Sequence, residues 1–382
     1  MTISRAQTIL RSTSRILLLA AAAAAALGGC ATDREEWGPL FYPPPPQRPR
    51  IQYLTKFVEA ADVEGRSSFL MTFLVGDTSS RRRLRKPTSV VAHEGVIYVA
   101  DPGWDTVLIL DLKERVFDTI GDRGDGKLRV PVAVTIDAEA NKFVVDTGRN
   151  QVVQFNSKNE FVRAFGDPDA LLPSGVAVDE TFLYVTNRRE ARVEVLNRRT
   201  KKQVRTIGRF GKEEGEFNAP TSLTLDARGH LFVTDGANFR IQEFDPEGKY
   251  VKSFGLLGDG PGTFARPKGT AIDGDGHLYT VDAAFENVQI WDVDSTEVLL
   301  AFGGPGVEPG SMYLPSDVHI SYELVPYFED LVDPGFDLQY VILVANNYGP
   351  NKLLVYGFVD PKDPSRYVDP SESDEESDPS KD

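Results

Sequence analysis

The chain has 382 residues, with 57 Asp and Glu against 42 Lys and Arg and a formal net charge of −15. One cysteine in the whole length excludes a disulfide framework and a thiolate metal site. Three arginines and no acid fall in residues 1–29, so the remainder is more acidic still.

Residues 1–29 read as a targeting segment. Arg5, Arg11 and Arg15 form a positive start, and residues 16–27 are an apolar run, too short to span a bilayer, that ends in small side chains. The run closes on Leu27-Gly28-Gly29-Cys30, which resembles a bacterial lipobox. The resemblance implies that Cys30 becomes the lipidated first residue of a mature protein in the cell envelope, at the outer membrane, the periplasmic face or the cell surface, with the membrane as one partner. Ala31 in place of an acidic residue implies the outer membrane. An ordinary secretory signal with an incidental cysteine is the alternative.

Residues 30–50 read as a tether, because the four consecutive prolines of FYPPPPQRPR favour an extended polyproline II spacer. A lone strand pattern, IQYLTKF at Ile51–Phe57, comes next. Residues 67–76 then suit a short amphipathic helix or a loop with a greasy side.

From Pro87 the chain repeats itself. A proline opens each unit at Pro87, Pro131, Pro173, Pro220, Pro267 and Pro315, at spacings of 44, 42, 47, 47 and 48 residues. The cleanest copy, residues 219–255, reads as four short strands bounded by Gly, Pro, Asn and Asp turn signals. Its second strand, LFVTD, recurs as IYVAD, FVVD, LYVTN, LYTVD and ILVAN, and its third, IQEF, as VVQF, VQIW and LLVY. A four-stranded meander cannot bury both faces alone, and radial stacking of copies is the β-propeller solution. The pattern P-x-x-(V/L)-x-(V/L/I)-D, G-x-(L/I)-(Y/F)-V-x-D and (R/V)-(I/V)-Q-x-F resembles the NHL repeat. That resemblance implies an all-β, six-bladed propeller over residues 51–358; it says little about function, since one scaffold hosts many activities.

The sixth unit is one strand short, so Ile51–Phe57 is expected to supply its fourth strand, closing the ring and removing sheet edges. That unit also carries an insertion, residues 322–339, with Tyr322, Tyr327, Phe328 and Phe336, suited to rim a partner site, lid one mouth of the channel, or pack on its own blade. After the propeller, residues 359–382 read as an acidic disordered tail, whose last fourteen residues hold seven acids and one lysine.

One region runs against the acidic background. Residues 188–212 hold ten basic side chains, among them Arg188, Arg189, Arg192, Arg198, Arg199, Lys201, Lys202 and Arg205, and only Glu190 and Glu194 as acids. It falls on the outer half of blade three and reads either as a landing site for an anionic partner or as a solvated face.

Catalytic signals are sparse. His230 and His277 share one repeat position after a turn glycine and read as strand-start residues, whereas His93 and His319 fall on inner strands and suit a channel ligand. The repeated Asp101, Asp146, Asp235 and Asp282, with Asn187 and Asn346, recur once per blade at a strand end and read as turn-capping residues. No spaced ligand set emerges, so no catalytic residue, metal or cofactor is expected. The expected function is a noncatalytic protein- or ligand-binding scaffold, a lipid-anchored subunit of an envelope or extracellular assembly with protein partners; export makes nucleic acid an unsuitable one. The competing expectation is a metal-dependent lyase or lactonase-like enzyme with its site at the channel, as some similar propellers are.

Overall fold

A computed structural model describes residues 38–65 and 82–368. The targeting segment with Cys30, the stretch 67–76 and the acidic residues 369–382 lie outside the described residues. Among the described residues, no helix is long and apolar enough to cross a membrane.

Five blades are contiguous four-stranded antiparallel meanders. Blade one runs Ser89–His93, Val96–Asp101, Thr106–Asp111 and Val116–Ile120, and blades two to five repeat the order, their inner strands being Pro131–Ile136, Pro173–Val178, Pro220–Leu225 and Pro267–Ile272. Blade six is composite. Its inner strand Pro315–Ser321 pairs with Phe336–Asn346, which pairs with Leu353–Pro361, and Ile51–Phe57 from the front of the chain adds antiparallel to the last of these. The expected ring closure is therefore present.

The period-2 alternation of the strands explains the packing. Val153 of blade two points to Val91, Tyr98 and Ile109 of blade one, while its neighbour Val152 joins Leu183 and Val185 of blade three. The same holds around the ring, one buried apolar cluster lying at each blade junction. The closing junction between blades six and one gathers extra pieces: Phe57, Val63 of the short helix Ala61–Glu64, Leu84, and Leu324 and Phe328 of the insertion.

Hydroxyls stitch neighbouring blades together. Ser174 Oγ donates to the Pro220 carbonyl at 3.0 Å, Ser316 Oγ to the Pro87 carbonyl at 3.1 Å, and Thr234 Oγ1 to the Lys268 carbonyl at 2.7 Å. Where blades five and six meet, Gly269 is required: a Cβ there would stand 2.5 Å from the Asp317 Cα.

The repeated strand-end residues do more than cap their own turns. Asp101 accepts from its own turn at Gly103 N and also from Arg85 N and Lys86 N of the incoming link, and Asp146 accepts likewise from Gly148, Arg129 and Val130. Asn187 accepts from Leu172 N and Arg189 N in the same way. Each one pins an interblade link to the top of its blade, which is a structural task.

Two boundaries differ from the sequence expectation. Residues 41–50 are not an extended spacer: Phe41–Tyr42 forms an edge strand on Ile51–Phe57, with Phe41 4.7 Å from the Phe336 ring, and Arg48 and Arg50 both reach Asp360. At the other end the last strand continues to Pro361, and Val368 bridges to Gln47, so residues 359–368 belong to the folded body. Aromatic side chains on both segments bury against blade six, and that non-local packing outweighs the local preference of a proline run.

Candidate functional site

The six inner strands line a central cavity of about 690 Å³. Because every inner strand starts at the same end, repeat positions form layers across it. The starting end is polar, with Thr88, Ser174, Thr221, Ser316 and Asn347, and it carries two cations, Arg188 and Lys268. Toward the far end the lining turns apolar with Ile136, Val178 and Leu225, and there His93 and His319 join it.

Blade six supplies two of the acid–base groups of this wall. Asp317 and His319 stand two residues apart on one strand and therefore on one face. Asp317 Oδ2 accepts from Val90 N of blade one at 3.0 Å, while its Oδ1 lies against Gly269 of blade five, so the carboxyl spans three blades. Burial pushes its pKa up to about 7 against the opposing effect of hydrogen bonds from Ser89, Val90 and Val318, and burial pushes the His319 imidazole down to about 4, keeping it neutral near pH 7. Of these groups, the histidines stand out in the sequence and Asp317 does not. Asp317 carries no local signal; its partners come from the neighbouring blade five and, through Val90, from a residue 227 positions away.

The insertion 322–339 rims the apolar mouth and does not pack on its own blade alone. Tyr322 Oη accepts from Gly274 N of blade five at 2.9 Å, and Glu323 Oε2 accepts from Glu94 N of blade one at 2.5 Å. The Tyr327 hydroxyl lies directly over Gly95, where a Cβ would be 2.3 Å away. Glu323 also stands 3.9 Å from His93 Nδ1, placing a carboxylate beside that imidazole.

Beneath the rim runs a buried polar chain. Tyr279 Oη and Tyr340 Oη are 2.6 Å apart, Tyr340 donates to Asp273 Oδ2 at 2.9 Å, and His277 Nδ1 sits 2.8 Å from that same oxygen. Burial raises both tyrosines well above the usual phenol range, so they stay neutral donors. Burial alone would raise Asp273, but the hydrogen bonds from His277 and Tyr340 outweigh it and hold the carboxyl low; in return Asp273 raises His277. Asp273, Asp275 and His277 offer ligand atoms within 4.8 Å of one another, the one such group among the described residues. However, Asp273 Oδ1 also accepts from the backbone of Asp275 and His277, so its oxygens are occupied, and an imidazole drawn toward protonation is a poor ligand. His277 opens its strand as expected and in addition forms an ion pair.

The basic stretch 188–212 is not one patch. The third strand of blade three, Arg192–Asn197, spans roughly 20 Å and separates its halves. Arg188 reaches the channel mouth, while Arg189 is spent on the Asp169 carbonyl. Arg192 pairs with Glu194 at 3.4 Å, Arg198 pairs with the buried Asp137 of blade two, and Arg205 caps the Pro246 and Glu247 carbonyls of blade four. Arg199, Lys201 and Lys202 remain exposed at the opposite end from Arg188. Desolvated pairing and carbonyl capping consume charges that a linear count leaves free.

Comparison with known proteins agrees with this architecture. Residues 212–301 match the DUF5128 family model, described as a six-bladed β-propeller. A probable peptidyl-alpha-hydroxyglycine alpha-amidating lyase of Caenorhabditis elegans is 27% identical over 113 residues, 28% of this chain and 32% of that protein, so the match spans about a third of the relative's length. Among solved structures, a Bacteroides thetaiotaomicron protein of unknown function superposes with a TM-score of 0.57 at 16% identity, covering 81% of this chain and 76% of that one. A streptogramin B lyase gives 0.51 at 13% identity, covering 80% and 87%. At such identities the likeness is one of fold, and the chain is an all-β, six-bladed propeller.

Proposed function

We propose that the protein is a noncatalytic, NHL-type binding propeller, carried at the cell envelope by a lipidated Cys30, and that its binding site is the central channel. The observation that carries the reading is the cavity itself. Its volume, about 690 Å³, lies within the range of on the order of 300–1,000 Å³ typical of small-molecule sites, and strands of all six blades build its walls. The titratable groups of the propeller support binding over turnover, because many already have structural duties: the strand-end aspartates hold links, Asp273 and His277 hold each other, and Asp317 in the cavity wall accepts from Val90 N. The dispersal of the basic stretch disfavours blade three as a single docking patch and leaves the channel as the better-built site. Protein partners in an envelope assembly then belong to the rims.

A second reading, a metal-dependent lyase, is favoured by Asp273, Asp275 and His277 and by the partial similarity to an amidating lyase. One experiment separates the two. Protein purified from its own membranes is denatured, and its metal and small-molecule contents are measured. The binding reading expects an organic molecule at near one per chain; one zinc or calcium per chain, with turnover of peptides ending in hydroxyglycine, contradicts it. Replacing Cys30 by Ser should release the protein from membranes, and continued membrane retention would remove the anchor from the account.

A further inference from the structure

Arg188, Arg266 and Lys268 gather at one mouth of the channel, yet none of the three side chains makes a salt bridge or hydrogen bond among the described residues. Arg188 and Lys268 line the cavity, and Arg266 precedes the proline that opens the same inner strand. Arg188 and Arg266 are exposed and screened by solvent, so the cost of bringing three like charges together falls on the half-buried Lys268. Elsewhere the fold pairs its cations readily, as Arg192, Arg198 and Arg240 do with Glu194, Asp137 and Asp235. The cost is visible in Lys268, whose ammonium is pushed below the usual range first by burial and then by Arg266 and Arg188.

Past that mouth the titratable lining groups are Asp317 and His319 of blade six and His93 of blade one, while the wall formed by blades two to four is apolar at its far end. Beyond the cationic mouth the wall passes Thr270, whose buried hydroxyl has no partner among the described residues, and reaches the apolar Val178, Leu225 and Ile136. The inner strands are five to seven residues long and span roughly 20 Å, so one ligand of moderate length can touch both ends.

We infer that the channel takes a small amphipathic anion, a single-tailed carboxylate or phosphate whose head sits between Arg188 and Lys268 and whose apolar body runs toward Val178, Leu225 and Ile136. This inference rests on the channel being the binding site and adds the chemical class of the occupant. Charge-assisted hydrogen bonds in a partly desolvated mouth supply the selectivity for the head, and the apolar wall excludes bare inorganic anions as equal competitors.

The test is calorimetric titration of the intact protein with decanoate, decyl phosphate, decanol and inorganic phosphate. Decanoate or decyl phosphate should bind at least about tenfold more tightly than decanol and than inorganic phosphate. The double variant Arg188→Gln, Lys268→Gln, with unchanged melting temperature, should lose that tenfold for the anions and leave decanol unchanged. Equal affinity for decanol and decanoate, or full anion affinity in the double variant, overturns the inference while leaving a binding channel in place. Binding of none of the four overturns both. Binding of inorganic phosphate as tightly as decyl phosphate reduces the site to a surface anion contact and also overturns it.

Discussion

Blades four and six use the same strand order and reach it by different routes. Blade four is written in one contiguous stretch, Pro220–Leu225, Leu231–Asp235, Arg240–Phe244 and Tyr250–Phe254, with links of a few residues. Blade six is assembled from both ends of the folded chain and carries the insertion that reaches blades five and one. The regular blade shows what stacking alone requires: a buried aromatic such as Phe244, alternating apolar faces and a strand-end aspartate. The composite blade shows what is added when a ring must be closed and a channel furnished, since Asp317, His319 and the rim tyrosines all belong to it.

The largest effect should come from breaking closure. Deleting residues 41–57 exposes the edge of Leu353–Pro361 and the apolar cluster between blades six and one, and should abolish cooperative unfolding, whereas deleting residues 369–382 should leave the melting temperature within a degree or two. Equal melting of the two truncations would show that the ring does not need its N-terminal strand.

Next in size is Asp317. Its folded pKa, about 7, stands above the ordinary aspartate value of 3.8, so the native state holds the proton more tightly and stability falls as pH rises from about 4 to about 7. Asp317→Asn should flatten that slope and raise stability at pH 8 by about 2 kcal/mol, less than the full shift implies because one side of the carboxyl faces channel water. Denaturant titrations at pH 4.5 and pH 8 check it, and parallel profiles for the two proteins would place Asp317 in an ordinary aqueous setting.

Smaller still is the conversion of blade six toward blade four at the shared third-strand aromatic. Tyr356 is fully buried and donates to the Gly310 carbonyl at 2.7 Å, where Phe244 has no hydroxyl. Tyr356→Phe should cost about 1–2 kcal/mol by leaving that carbonyl unpaired. An unchanged denaturation midpoint would mean that water replaces the lost donor. At the bottom of the scale, Arg199→Glu, Lys201→Glu and Lys202→Glu together should shift stability by less than about 0.5 kcal/mol, since all three side chains are exposed. A loss several times larger would show that blade three depends on that charge.

The legible part of the sequence follows from the same contrast. Blade four announces itself because its four strands are local, alternate with period two and end in turn residues, and the missing strand of blade six was deducible as a deficit that IQYLTKF could fill. The edge strand Phe41–Tyr42 was hidden by the prolines beside it, because its pairing with Ile51 and Gln52 and its contact with Phe336 are set by tertiary packing. The basic stretch looked like one feature because a linear window cannot see a strand carry its two halves to opposite ends of a blade. His93 and His319 were found on inner strands, but Asp317 meets Val90 only through the closing of the ring.

The most direct test of the channel as the binding site is native mass spectrometry of three proteins purified identically from their own membranes: the intact chain, a channel-filling Thr224→Trp variant with a verified cooperative melt, and the Arg199, Lys201, Lys202 triple variant. The account predicts one noncovalently held small molecule in the intact and triple-variant proteins and none in Thr224→Trp. Retention by Thr224→Trp together with loss from the triple variant would contradict it and return the binding site to the outer face of blade three.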